Sequence, residues 1–140
     1  MRMESARMLK ESGMKATEPR VRILDTLKAS HEPLTAQSIW NKVKRRGIDR
    51  TTVYRTLHAF VAAGILRRID FHAEAVFYEF AEHHHHHIVC TQCGIIEDFE
   101  ICMMPTFTEH LIRDSRTFAQ INEHSLELFG ICNSCTDKSA

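Results

Sequence analysis

Two cysteine pairs of matched spacing, Cys90-x-x-Cys93 and Cys132-x-x-Cys135, stand on either side of residues 94–131. Each pair offers two thiolates one turn apart, and together they make the tetrahedral four-sulfur site that zinc prefers, with Zn–S near ~2.3 Å. A shell closed by four thiolates leaves no position for a substrate, so the zinc it takes is structural. Because the pairs are distant in the chain, the metal staples the last strand of the domain to the first and adds directly to folding stability. In a reducing compartment, clustered cysteines read as metal ligands before disulfides. Cys102 has no partner motif. A lone cysteine is more often a small buried hydrophobe than a sensor thiol, and it carries no assignment.

The stretch HHHHHIVCTQCG, residues 83–94, runs five histidines into the first cysteine pair. It lies mid-chain and enters a strand-like segment, which is not the setting of a purification tag. On an extended backbone side chains alternate between faces. His85 and His87 then point one way, and His84, His86 and Cys90 the other. One strand can thus present two pairs of imidazoles to two sites. Glu79, Glu97 and Asp98 lie close in sequence. Mixed imidazole and carboxylate ligands suit Fe(II), Mn(II) or Zn(II), a harder donor set than the thiolate cage, and such a site can bind reversibly and sense. The plainer alternative is a polar hinge with adventitious metal affinity. His124 in a strand-like segment, and His58, His72 and His110, call for no ligand role on local pattern alone.

Positioning these groups requires an α+β chain. In the second half, HIVC and GIIEDFE read as short strands flanking the first cysteine pair. PTFTEHLIRDS reads as a helix with Phe107 and Leu111 inward, and FAQINEHSLELFGIC as an alternating strand kinked near Asn122. In the first half, ESARMLKES is a short amphipathic segment before Gly13. Thr17 caps a second helix with Pro19 in its first turn. Thr35 caps a third, AQSIWNKVKRR, which Gly47 terminates. A fourth, RTTVYRTLHAFVAAG, turns Val53, Leu57, Phe60 and Val61 to the core. Two helices joined by a short Gly-containing turn fit a helix-turn-helix. ILRRIDF and AVFYEF follow as a hairpin around HAE, completing a winged helix. A generic helical bundle with a stray hairpin is the alternative. The expected organisation is a winged-helix domain at 1–80, a hinge at 81–84, and a small α/β domain at 85–140.

Charge divides along the same line. Residues 1–80 carry 15 Lys and Arg against 9 Asp and Glu, whereas residues 81–140 carry 3 against 9. A basic half with a helix-turn-helix points to nucleic acid. Arg50, Thr51, Thr52, Arg55 and Thr56 are left for the outer face of the fourth helix, with Tyr54 at its boundary. The N-terminal end of a recognition helix reaches base edges, and Thr methyls and a Tyr ring suit thymine methyls. Lys15 and Arg20, with Arg67 and Arg68 on the hairpin, are candidate phosphate or minor-groove contacts. No run of 18 apolar residues is present to span a membrane. The charged N-terminus lacks the apolar stretch of a signal peptide, so the expected location is cytoplasmic.

Taken together, EPRVRIL, PLTAQSIW, TTVYRTLHAFVAAGIL, YEF, HHHHHIVCTQCG, EDF and HSLELFGICNSC resemble, in order over residues 15–135, the ferric uptake regulator (Fur) family of metal-dependent repressors. The resemblance implies a homodimer with an N-terminal winged helix on double-stranded operator DNA and a C-terminal α/β dimerisation and metal domain. Its metal-loaded form would block transcription at AT-rich inverted repeats, with no membrane or small organic substrate as partner. It implies structural zinc on Cys90, Cys93, Cys132 and Cys135, and a regulatory Fe(II), Mn(II) or Zn(II) on Glu79, His85, His87 and Asp98. The family adds a histidine just before the TA that opens the third helix. Here Pro33 stands in that place, with His31 two residues earlier, so either His31 reaches the metal through a shifted loop or the site lacks that ligand. A further site in some members would by position use His84, His86, His124 and a helix carboxylate, for which Glu109 is the candidate.

Iron is the preferred effector. Zinc-uptake regulation is an alternative on the same scaffold, and so is peroxide-responsive regulation, because Asp98 stands where many iron sensors carry Glu. A zinc-dependent hydrolytic enzyme would need an open metal position and a positioned base, and no HExxH-type helix is present. A metal-storage protein would have no use for a recognition helix.

Overall fold

The computed structural model describes residues 2–71, 75–82 and 86–138. The chain divides into two compact units, residues 1–83 and 84–140.

The first unit opens with α1 (Arg2–Glu11) and α2 (Glu18–Lys28). Thr17 stands at the N-cap of α2 with Pro19 in the first turn, but its side chain makes no capping hydrogen bond. Polar contacts join the two helices: Ser5 Oγ donates to Asp25 Oδ1 at 2.5 Å, and Lys28 Nζ lies 3.5 Å from Glu4. The two-residue β1 (Leu34–Thr35) leads into α3 (Ala36–Val43). The Thr35 side chain caps α3 by accepting from the Ser38 N–H at 3.1 Å. A 3-10 turn at Lys44–Arg46 ends on Gly47 at φ 77°, a left-handed conformation that favours glycine. Asp49 caps α4 (Arg50–Ala62), accepting from the Thr52 N–H at 2.8 Å. Its carboxyl lies below the usual range, chiefly because Thr52 hydrogen-bonds to it.

Val53, Thr56, Leu57 and Phe60 are the buried face of α4. Their i, i+3, i+4, i+7 spacing is one helical stripe. Thr56, expected on the outer face, belongs to that stripe and is a correction to the sequence reading. Its side chain is buried, as are Ile23, Leu24 and Ile39 of the core. The wing is β2 (Leu66–Asp70) paired antiparallel with β3 (Val76–Phe80), and β1 adds to the far side of β3. The sequence reading missed β1, which is too short to carry an alternating pattern.

In the second unit, β4 (His86–Cys90) lies between β5 (Ile96–Phe99), antiparallel to it, and β6 (Glu127–Gly130), parallel to it. A parallel pair needs a long connection, and α5 (Met104–Asp114) lies on it, with α6 (Asn133–Lys138) closing the unit. Two expectations are corrected here. FAQINEHSLELFGIC contributes only the four residues of β6, which pair with His87 to Cys90 of β4. Phe107 and Leu111 are about half exposed rather than inward. α5 carries its apolar stripe, but the described residues of a single chain do not cover it.

Candidate metal centre

Parallel pairing of β4 and β6 sets Cys90 opposite Gly130. The second cysteine pair, which starts two residues beyond Gly130, therefore arrives beside the first. Sγ atoms of Cys90, Cys93, Cys132 and Cys135 all lie within 4.8 Å of one another, and Cys93 Sγ is 3.6 Å from Cys132 Sγ. Sulfurs sharing a tetrahedral zinc stand about 3.8 Å apart, so both donor chemistry and spacing fit that ion. The knuckle is shaped by backbone: Gly94 takes φ 78° and its N–H donates to the Cys90 carbonyl at 2.9 Å. The Cys132 N–H donates to Cys90 Sγ at 3.4 Å. That bond is the main cause that lowers the Cys90 thiol to about 6. Cys135 is pushed up to about 12, first by its hydrogen bond with Cys132 and then by burial. Four sulfurs this close cannot all carry charge unless a cation shares it.

The same sheet positions the histidines. His86 and His87 are both 1% exposed. His87 stands opposite Asp98 on β5 and opposite Glu127 on β6, and cross-strand partners share a face. His86 faces the other way, with its ring 5.6 Å from Phe99 and 5.4 Å from His124. Adjacent histidines thus serve opposite faces of the strand. His84 and His85 lie outside the described residues. Among the described residues a second potential metal group appears, made of His86, Cys102 and His124. Glu109 is exposed on α5 and is not part of it. Sequence reasoning missed Cys102 here, and no spacing signal pointed to it.

In the first unit, Glu79 stands opposite Arg67 and accepts from its Nε at 2.6 Å, with the Nη2 of the same guanidinium also in contact. His31 is exposed and Pro33 is buried. On α4, Arg50, Thr51, Tyr54 and Arg55 are exposed, and Thr52 is half-buried. The Arg50 guanidinium stacks over Trp40 at 4.6 Å, which holds the start of α4 against α3. Lys15 is exposed, and Arg20 Nη1 donates to its carbonyl at 3.1 Å.

A winged helix followed by a thiolate-caged sheet that carries buried histidines defines a metal-binding DNA-recognition protein. The profile of the Ferric uptake regulator family matches residues 11–129, and the chain belongs to that family. It is 32% identical over 137 residues to the ferric uptake regulation protein of Legionella pneumophila, covering 95% of this chain and 99% of that protein. It is 31% identical over 137 residues to the peroxide-responsive repressor PerR of Staphylococcus aureus, covering 96% and 91%. Similar solved structures include the Vibrio cholerae ferric uptake regulator (TM-score 0.75, 32% identity, 91% of this chain and 98% of that one). The Francisella tularensis regulator with iron superimposes at TM-score 0.74 with 32% identity, over 89% and 96%. The chain is accordingly a metal-responsive transcriptional repressor and not an enzyme. No helix among the described residues is long and apolar enough to cross a membrane.

Proposed function

We propose that the protein binds AT-rich inverted repeats as a metal-loaded homodimer and controls metal uptake, with Fe(II) as the preferred effector. Arg50, Thr51, Thr52, Tyr54 and Arg55 read the major groove from the N-terminal end of α4, and Lys15 and Arg20 contact phosphates. The observation that carries the regulatory reading is His87, a buried imidazole with Asp98 across the strand pair. A buried polar side chain beside a carboxylate is costly to keep unless the arrangement serves a ligand or a network. By the family resemblance Glu79, His85, His87 and Asp98 would hold the regulatory ion, and His31 is the candidate fifth ligand. When bound, the ion supplies a fixed positive charge that links its ligands, so any arrangement that gathers them is favoured by linkage. Arg67 occupies Glu79 and sets the competition that the ion must win.

The test is anisotropy on an inverted-repeat duplex at fixed salt, with zinc-loaded protein titrated anaerobically with Fe(II), Mn(II) or further Zn(II). One metal is expected to tighten binding about 5–150-fold. Equal binding with and without every metal would refute a regulatory site. Asp98→Ala should remove the metal dependence and leave the cysteine-bound zinc and the dimer in place. His31→Ala with unchanged metal affinity would reduce the ligand set to the other four. Asp98, together with the PerR relatives, also supports a peroxide-responsive reading. Under it, the Fe(II)-loaded protein loses DNA binding on peroxide treatment, and a histidine gains oxygen by mass.

A further inference from the structure

His86, Cys102 and His124 come from three separate segments of the second unit: β4, the connection between β5 and α5, and the approach to β6. Cys102 Sγ is 3.4 Å from His124 Nε2, the His86 and His124 ring centres are 5.4 Å apart, and one ligand atom from each residue lies within 4.8 Å of the other two. Two imidazoles and a thiolate on one tetrahedral ion, at Zn–N of ~2.0 Å and Zn–S of ~2.3 Å, place their donor atoms about 3.3–3.6 Å apart. The sulfur–nitrogen pair already has that spacing, and no two of the three donor atoms are more than 4.8 Å apart. The His86 ring is also held, being buried on the central strand and set against Phe99.

We propose that His86, Cys102 and His124 form a thiolate-containing metal site, separate from the cysteine cage and from the His87–Asp98 face, that takes a borderline-soft divalent ion such as Zn(II) or Co(II). Two of its residues coincide with the additional site that the family resemblance implied. Its chemistry differs, because the Cys102 sulfur stands in where a helix carboxylate was expected. Replacing a carboxylate by a thiolate shifts selectivity from Mn(II)-like ions toward Zn(II)-like ones. Among the described residues the site has three protein donors against the four of the closed cysteine shell, so the ion here is the more exchangeable one. The proposal does not rest on the DNA-binding reading.

The test uses full-length protein carrying one zinc in the cage, titrated anaerobically with Co(II). The wild type should develop a near-ultraviolet thiolate-to-Co(II) charge-transfer band that saturates at one equivalent. A site of imidazole and carboxylate ligands alone adds no such band. Cys102→Ser should lose the band and bind Co(II) at least about tenfold more weakly, a loss that even an outer partner of a ligand produces. Cys102→Asp should recover affinity without the band. No band in the wild type, or an equal band in Cys102→Ser, would overturn the proposal. A second measurement needs no variant: added Zn(II) should slow alkylation of Cys102 in the zinc-caged wild type, and an unchanged rate would overturn it as well.

Discussion

The two units solve the same problem with different materials. The first buries Leu9, Ile23, Leu24, Ile39, Leu57 and Phe60 completely, a dry aliphatic and aromatic core that its helices build from local stripes. The second buries His86, His87, Cys90 and Cys135, with Val89 as its one buried aliphatic among the described residues, and leaves Ile101, Met103, Phe107, Leu111, Phe118 and Phe129 exposed. Apolar area removed from water contributes roughly 25 cal/mol per Å², so the first unit has a sufficient source of stability in its own chain. The second does not. Its buried groups are mostly candidate ligands and much of its apolar surface faces outward, so its stability is expected to depend on bound metal and on cover by a second copy of the chain. A regulator gains from this division. On this division the first unit would stay folded without metal, while the second would depend on it.

The sharpest way to break the contrast is to remove the zinc. A strong chelator, or Cys93→Ser, should unfold the second unit and leave the helical signal of the first. Structural zinc in small zinc domains contributes about 10–16 kcal/mol. Calorimetry should then show one transition lost and one kept, whereas loss of both together would make the units a single cooperative body. The converse experiment is Phe60→Ala, expected to cost the first unit about 3–5 kcal/mol. Urea melts followed by circular dichroism would measure it, and zinc content should not change.

A smaller effect concerns the outward apolar face. Leu111→Glu should weaken self-association by at least about tenfold, the equivalent of ~1.4 kcal/mol, as measured by sedimentation. An unchanged monomer–dimer balance would mean that α5 lies outside the contact between copies. The smallest effect is electrostatic. The Asp49 carboxyl is held below its ordinary value by Thr52, so its contribution is present above the unfolded value near ~3.9 and is lost as pH falls through the lower folded value. Asp49→Asn keeps the cap without the charge. Its acid melting curve for the first unit should be flatter than wild type below about pH 4, and identical curves would remove the carboxylate from the cap's stability.

What was legible along the chain follows from how local each feature is. Thr35 as a cap and Gly47 as a stop depend on a few neighbouring residues, and so does the alternation of His86 and His87. The strand read through FAQINEHSLELFGIC failed because alternation states which face a residue would take, not whether a partner strand is there to pair with. The inward reading of Phe107 and Leu111 failed for a related reason. A stripe on a helix says that something will cover it, not that the same chain will.

The sequence by itself determined the winged-helix order, the two matched cysteine pairs and the family, because repeated spacing and helical period are properties of a one-dimensional chain. Tertiary structure decided which ligands meet. Parallel register between β4 and β6 carries Cys132 and Cys135 to Cys90, and the same sheet sets His87 beside Asp98 and Glu127. Only that fold brings Cys102, a residue with no motif, to His86 and His124. Coordination depends on distances of a few ångströms between atoms, and between distant residues those distances are set by packing.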